Sequence, residues 1–267
     1  VMLGMGFIGA EVAASLRQLD VTVTAVFDGD SPLVAVLGAE VGRVLSRIHR
    51  EHGVELTSKD RVVGFEGVDR LERVVTAGAG RIDCDFAVVG AGIEPDLDAI
   101  AATHISVDNG ILVDAQCRTS TADVYAAGDV ANHLHPLFGR VRVEHYNNAE
   151  KMGRAVARSM LGDEAPYDYV HTFWSDQYEH TLEYVGHATH WDAFVVRGSL
   201  DEQRFLGFYL ERGIVRAAVG LDRGGDPELE EESELRACQR LVAEQAVVQP
   251  EELIDEGVEL GSLVAGG

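Results

Sequence analysis

Gly4, Gly6 and Gly9, in Val1-Met2-Leu3-Gly4-Met5-Gly6-Phe7-Ile8-Gly9-Ala10-Glu11, restrict what this chain can fold into more than any other feature. A short apolar run precedes them and Glu11-Val12-Ala13-Ala14-Ser15-Leu16 continues them as a helix. Strand, glycine turn and helix in that order form the opening of a dinucleotide-binding βαβ unit of Rossmann type. The first glycine makes the tight bend, the second lets backbone approach a pyrophosphate, and the third lets helix and strand pack closely. The helix that follows directs free N–H groups and the positive end of its dipole at the anion. Gly4, Gly6, Phe7, Ile8 and Gly9 are therefore candidate cofactor-binding residues.

A chain of 267 residues has room for more than one packed unit. Its 22 basic and 45 acidic residues give a net charge of −23, which excludes general binding to nucleic acid or to an anionic membrane surface. Lys59 and Lys151 are the only lysines, a compositional habit rather than a functional signal. No apolar stretch reaches the roughly 20 residues needed to span a bilayer, and no signal-peptide pattern occurs, so the expected compartment is the cytoplasm. Cys84, Cys117 and Cys238 form no CxxC pair and read as buried, inert thiols; no metal site is expected.

Along the chain, Val21 to Phe27 alternates as a buried strand, with Asp28 directly after it. Val41, Val44, Leu45 and Ile48 recur at helical spacing between Gly38 and Gly53, and Val54 to Thr57 is the next strand. Residues 61–86 break into short runs separated by glycine turns, a small antiparallel meander inserted into the α/β unit. Phe86 to Gly90 resumes the buried parallel sheet and ends in a second glycine turn, Gly90-Ala91-Gly92, placed where open α/β sheets bind ligands. Strands follow at 111–114 and 124–129, then a helix over 146–161. Aromatic and β-branched strands cover 182–185, 193–196, 205–210 and 214–219, and a charged helix runs from Glu228 to Gln245. The acidic run Asp226 to Glu234 reads as the solvated start of that helix.

The segment Arg118-Thr119-Ser120-Thr121-Ala122-Asp123-Val124-Tyr125-Ala126-Ala127-Gly128-Asp129-Val130 resembles the second flavin-binding motif of the FAD-dependent pyridine nucleotide oxidoreductases. The likeness extends over essentially the whole chain. Gly4 to Glu11 is similar to that family's NAD(P)H turn, Gly90 to Asp96 to its second nicotinamide-side turn, and Val143 to Ala149 to its flavin-side helix start. Phe173-Trp174-Ser175-Asp176-Gln177 resembles the opening of its C-terminal interface domain. Together these resemble the ferredoxin reductase branch, which includes apoptosis-inducing-factor-like flavoproteins.

The resemblance implies FAD and NAD(P)H as cofactors and a ferredoxin or other iron–sulfur acceptor as partner. It gives Asp129 a ribityl hydroxyl of FAD and Gly128 the close approach beneath it; a helix starting near Glu144 to Tyr146 would aim its N–H groups at the negative charge that reduction places near the flavin. His145 and Trp174 are implied near the flavin and nicotinamide rings. Glu11 is implied to approach the nicotinamide, with a lysine partner not found in this sequence. The acidic position at the end of the second strand holds Phe27, with Asp28 one residue later; no arginine beside it invites a 2′-phosphate, which favours NADH. The first βαβ unit of such a flavoprotein, with its own pyrophosphate turn, does not occur here, so the reading is of a C-terminal portion.

The resulting expectation is an α/β fold in three parts. Residues 1–108 form an NAD(P)H-binding Rossmann domain with its meander, 109–165 the C-terminal part of an FAD domain, and 166–267 an α+β interface domain. The alternatives are a nicotinamide-nucleotide-binding module without redox activity and, less well supported by the cysteines, a disulfide reductase. A homodimer is left open. His49 with His52, and His133 with His135, read as solvated histidines rather than ligands. Arg140, Arg142, Arg154 and Arg158 could supply local positive charge to an acidic ferredoxin.

Overall fold

The glycine turn joins strand β1 (Met2–Leu3) to helix α1 (Phe7–Gln18), and β2 (Thr24–Val26) follows in parallel register beside β1. In this computed structural model, which describes residues 1–265, α1 lays Ala10 and Ala13 on a core of Met2, Val23, Ala25 and Phe27. Small side chains on that face let the helix lie close to the sheet.

Helix α2 (Val34–Glu51) leads to β3 (Glu55–Thr57), which adds to the outer side of β2. Its regular part begins after Gly38, whose φ of 78° breaks the helix where Trp191 packs. The meander forms as expected: β4 (Val62–Glu66), β5 (Arg73–Thr76) and β6 (Arg81–Asp83) are antiparallel neighbours. Strand β7 (Val88–Val89) then returns beside β1, giving the parallel order β3-β2-β1-β7. The expectation that this strand is buried needs correcting. It is the sheet's edge, Val88 is half-buried and Val89 is 65% exposed.

The middle of the chain forms a second, three-stranded sheet from β8 (Ile111–Val113), β9 (Ala131–His135) and β10 (Gly139–Val141), with α3 (Tyr146–Met160) packed through Met152, Ala155 and Val156. Residues 124–129 are not the expected strand. They run extended with one bridge, Arg118 to Tyr125, and close in a single 3-10 turn over Gly128–Val130.

The C-terminal sheet is antiparallel and five-stranded, in the order β11-β12-β15-β14-β13, from β11 (Thr172–Gln177), β12 (His180–Gly186), β13 (Ala193–Ser199), β14 (Arg204–Glu211) and β15 (Ile214–Leu221). Both faces are covered. Helix α4 (Glu234–Ala243) lays Leu235, Cys238, Leu241 and Val242 on one face, beside short α5 (Pro250–Ile254). The other face receives α2, whose Leu37, Val41, Val44, Leu45 and Ile48 share a core with Phe173, Leu182, Tyr184, Phe205 and Tyr209. The buried Tyr209 hydroxyl donates to the Leu37 carbonyl at 2.8 Å across this seam.

Helix α4 is shorter than expected, because Ser233 caps it by accepting from the Arg236 amide. The acidic run before it is therefore a loop, and its Glu228 is not a solvated helix residue: it pairs with Lys151 of α3 and accepts from Tyr169 at 2.6 Å. Cys117 and Cys238 are buried as expected, and burial raises the Cys117 thiol to about 12; Cys84 is half-buried.

The histidine pairs also depart from expectation. His49, His133 and His135 are buried, not solvated, and His52 stacks on Tyr178 at 3.7 Å. Each buried ring has a partner: His49 meets Tyr178 and Gln177, His133 the Ala115 carbonyl, His135 the Tyr169 carbonyl. No group of histidines, cysteines and carboxylates among the described residues could hold a metal ion.

Burial holds His49 and His135 down to about 4, and lowers His133, His171 and His187 as well. The unfolded chain binds protons at these sites from about pH 6.5 downward while the folded chain does not. Stability is accordingly full above about pH 6.5 and falls as the pH drops toward 4. Glu183, raised to about 7 first by burial and then by Asp226, acts in the opposite sense, but it is one half-buried group against several histidines. Chemical denaturation at pH 7.5, 5.5 and 4.5 is expected to show a progressive loss of stability across that series.

Candidate functional site

The glycine turn is built by two close approaches. A Cβ on Gly9 would lie 2.1 Å from the Gly4 carbonyl oxygen, and one on Gly4 would lie 2.3 Å from the Gly90 carbonyl oxygen. Gly4, Gly9 and Gly90 thus interlock, welding the first turn to the second glycine turn. Gly6 differs: a Cβ there would meet no atom within 4 Å. It sits at the N-cap of α1 with no side-chain cap, its face open to a ligand. Ile8 is 56% exposed beside it, and Ala91 and Gly92 are exposed on the neighbouring turn. Phe27 is buried in the α1 core, whereas Asp28 is exposed at the carboxyl end of β2.

Across from this turn stands an aromatic column. The His145 and Phe173 rings stack at 4.4 Å, and Phe173 stacks on Tyr184 at 4.6 Å. Phe7 meets Phe173 edge-on at 4.8 Å and His145 at 5.8 Å. His145 is the N-cap of α3, in extended conformation and without a side-chain capping bond; Asn147 Oδ1 accepts from the Asn148 amide at 2.8 Å, so the open amides of the helix start are those of Tyr146 and Asn147. Burial lowers its imidazole to about 4, against the opposing pull of Asp129, so the ring is neutral at pH 7.

The Gly128–Asp129 turn lies against that helix start. Gly128 has φ of 76°, and a Cβ there would touch the Ala149 methyl at 3.4 Å. Asp129 is exposed, and its carboxylate has no hydrogen-bond partner among the described residues. Arg142, with a side chain 11% exposed, staples the turn: it donates to the Asp129 carbonyl at 3.2 Å and pairs with Glu144. Arg142 is thus not a free surface charge. Arg140 donates to the Val113 and Asn132 carbonyls, Arg154 pairs with Glu150, and Arg158 with Asp163.

Glu11 is placed differently from a first-turn dipole partner, because the first turn of α1 holds no acidic residue. Its carboxylate accepts from the Ser175 hydroxyl at 2.7 Å instead, which joins α1 to β11. Along β11 the side chains alternate, so Phe173, Ser175 and Gln177 are buried while Trp174 is 53% exposed. The structure therefore brings Phe7, Glu11 and His145 together around Phe173 and Ser175. It sets Trp174 on the outward side, in a cleft of about 500 Å³ shared with Tyr146, Lys151 and Leu229.

The sequence pattern for "Pyridine nucleotide-disulphide oxidoreductase" matches residues 1–153, and that for "Reductase C-terminal" matches residues 172–264. The chain belongs to the pyridine nucleotide-disulphide oxidoreductase family. A relative in this family, the anthranilate 1,2-dioxygenase system ferredoxin–NAD(+) reductase component of Burkholderia cepacia, is 35% identical over 263 residues, which are 97% of this chain and 62% of the relative. The ferredoxin reductase for the CYP199A2 system of Rhodopseudomonas palustris superposes with a TM-score of 0.91 at 30% identity, covering 98% of this chain and 64% of that one. Putidaredoxin reductase, in its covalent complex with putidaredoxin, superposes with a TM-score of 0.89 at 30% identity, covering 99% of this chain and 62% of that one. The chain thus spans about 62% of the length of the curated relatives it matches.

Within this pyridine nucleotide-disulphide oxidoreductase chain the sequence motifs named Glu11, His145 and Trp174, but not the side chains that hold Glu11. Ser175 and Gln177 are polar residues on the inward face of a strand, where apolar ones are the rule, and nothing in their spacing marks them. Two glycine substitutions separate structural from ligand-facing roles. Gly9→Ala forces a carbon against the Gly4 carbonyl and is expected to cost about 1–3 kcal/mol or more. Gly6→Ala meets open space and is expected to cost less than about 1 kcal/mol. Thermal denaturation of the two variants measures the difference.

Proposed function

We propose that this chain builds the nicotinamide-nucleotide site, and one side of the flavin site, of an NAD(P)H-dependent flavoprotein that delivers electrons to a ferredoxin. The observation that carries the reading is the convergence of an open glycine cradle, an uncapped helix start and a shared aromatic column. Phe7 of the cradle stands 5.8 Å from His145 of the helix start. The names of the matched relatives, reductases acting between NAD(+) and ferredoxin, agree with it. In domain terms the proposal assigns residues 1–108 to the nucleotide, 109–165 to the flavin and 166–267 to the interface.

The residues present suit both cofactors. Gly6 leaves backbone open to a pyrophosphate, and the free start of α1 offers N–H donors to it. Asp28, exposed at the end of β2, is placed to accept from a ribose hydroxyl, which favours NADH. Asp129, exposed and without a protein partner, is the acceptor for a polyol hydroxyl, and Gly128 lets its turn lie close against Ala149 of the helix start. When bound, FAD supplies the conversion of a two-electron hydride from NAD(P)H into two single electrons. The start of α3 directs the Tyr146 and Asn147 amides, the Asn148 amide being held by Asn147 Oδ1, at the place where negative charge then accumulates. Neutral His145 adds no charge there, and Phe7, Phe173 and Tyr184 keep water from the ring stack. Glu11 holds the nicotinamide side, Trp174 and Tyr146 present an exposed aromatic surface on the outward face of β11 and the start of α3, and an iron–sulfur protein is the acceptor class.

Three outcomes test this. The purified chain, incubated with FAD and freed of excess, is expected to retain visible flavin absorbance that NADH bleaches. Asp129→Ala is expected to weaken retention by roughly tenfold or more, as loss of a charge-assisted hydrogen bond does, with unchanged thermal stability. Gly6→Ala is expected to raise the NADH dissociation constant by roughly tenfold while leaving flavin retention intact. Flavin affinity unchanged in Asp129→Ala would contradict the flavin half of the proposal.

A further inference from the structure

Behind Glu11 runs a buried line of hydrogen bonds contributed by three elements. The Tyr178 hydroxyl lies 3.0 Å from His49 Nδ1. His49 Nε2 lies 3.0 Å from Gln177 Oε1. Gln177 Nε2 donates to Ser175 Oγ at 3.0 Å, and Ser175 Oγ donates to Glu11 Oε1 at 2.7 Å. His49, Ser175 and Gln177 are each 2% exposed or less.

The directions of these bonds follow from what each group can do. A carboxylate oxygen only accepts, so Ser175 must spend its single proton on Glu11. Its oxygen is then free to accept from the Gln177 amide nitrogen. That fixes the Gln177 carbonyl toward His49, which must carry its proton on Nε2, leaving Nδ1 to accept from Tyr178. Every donor in the line thus points toward Glu11. A single tautomer of His49 and a single amide orientation of Gln177 satisfy all four bonds.

We propose that Ser175, Gln177 and His49 are positioning residues that fix one oxygen of the Glu11 carboxylate, leaving the other to face the nicotinamide group. This deepens the proposed function and rests on it for the role of Glu11. Three further facts support it. The line reaches from the helix of the nucleotide turn, through β11, into α2, so it holds Glu11 relative to the seam between α2 and the C-terminal sheet. Its interior is without charge near neutrality: burial holds His49 down to about 4 and raises Tyr178 to about 12. And Ser175 and Gln177 occupy inward strand positions whose apolar replacement would pack at less cost, unless a polar group beyond them needed a partner.

The test uses the flavin-loaded holoenzyme with Ser175→Ala, Gln177→Glu, Glu11→Gln and the double variant Glu11→Gln/Ser175→Ala. Three quantities are read: the rate of flavin reduction by NADH, the dissociation constant of NAD+, and the position of the Glu11 side chain in crystals. Ser175→Ala is expected to lower the reduction rate or NAD+ affinity by roughly tenfold and to leave Glu11 without a fixed position. The double variant is expected to be no worse than Glu11→Gln alone, because the two act in series. Gln177→Glu keeps the shape and the acceptor toward His49 but loses the donor toward Ser175. It is expected to resemble Ser175→Ala at pH 8 and to recover as the pH is lowered and its carboxyl donates again, a pH dependence that a purely packing role would not give. Glu11 unmoved in Ser175→Ala, or losses that multiply in the double variant, would overturn the inference. If Glu11 loses its position in Ser175→Ala while Glu11→Gln changes neither rate nor affinity, the positioning stands and the nicotinamide role of Glu11 fails.

Discussion

The packing of one face of α2 against the C-terminal sheet is the contact on which the rest of the structure depends. Leu37, Val41, Val44, Leu45 and Ile48 lie along one stripe of the helix and are almost completely buried there. Burying such side chains is worth about 1.5–3 kcal/mol each relative to exposure, so the stripe outweighs any single polar contact across the seam. An α2 helix in a dinucleotide-binding unit has to cover apolar surface, and here that surface belongs to a different sheet. Phe7 of the nucleotide turn packs on this same core beside Phe173, so side chains of α1 and β11 can be held at hydrogen-bond distance.

That coupling explains why the candidate site is assembled from segments far apart in sequence. Glu11 and Ser175 are 164 residues apart, yet meet at 2.7 Å. Phe7 reaches the ring of Phe173, and Tyr209 reaches the Leu37 carbonyl, through the same seam. The flavin-side turn is fixed independently, by the contact of Gly128 with Ala149 and by Arg142 holding the Asp129 carbonyl. What the site offers a ligand is then largely backbone and neutral rings, with Asp28 and Asp129 exposed for hydroxyl groups.

Much of this was legible from residue order. The Gly4, Gly6 and Gly9 spacing predicted both the turn and the close packing of helix on strand, because steric limits at those positions are local. The helical period of Val41, Val44, Leu45 and Ile48 marked a buried stripe, although the period alone does not say against what it is buried. Long-range polar pairing was not legible. His49 and His52 at helical spacing suggest solvent exposure on composition alone, and only the arrival of Gln177 and Tyr178 makes His49 a buried partner. The acidic run before α4 misled in the same way, since Ser233 as a cap and Lys151 as a partner for Glu228 settle where the helix begins. Residues 124–129 look like a strand because they are apolar and β-branched at one end, but they have a partner at one position rather than a ladder.

If α2 and the C-terminal sheet share one core, they unfold together. Native-state hydrogen exchange at increasing denaturant measures this directly, by comparing the amides of Val41 to Ile48 with those of Phe205 to Tyr209 and Val215 to Val219. The account predicts a common opening free energy and a common denaturant dependence for the helix and the strands. Exchange of α2 through a separate opening of lower free energy, with the strands still protected, would contradict it.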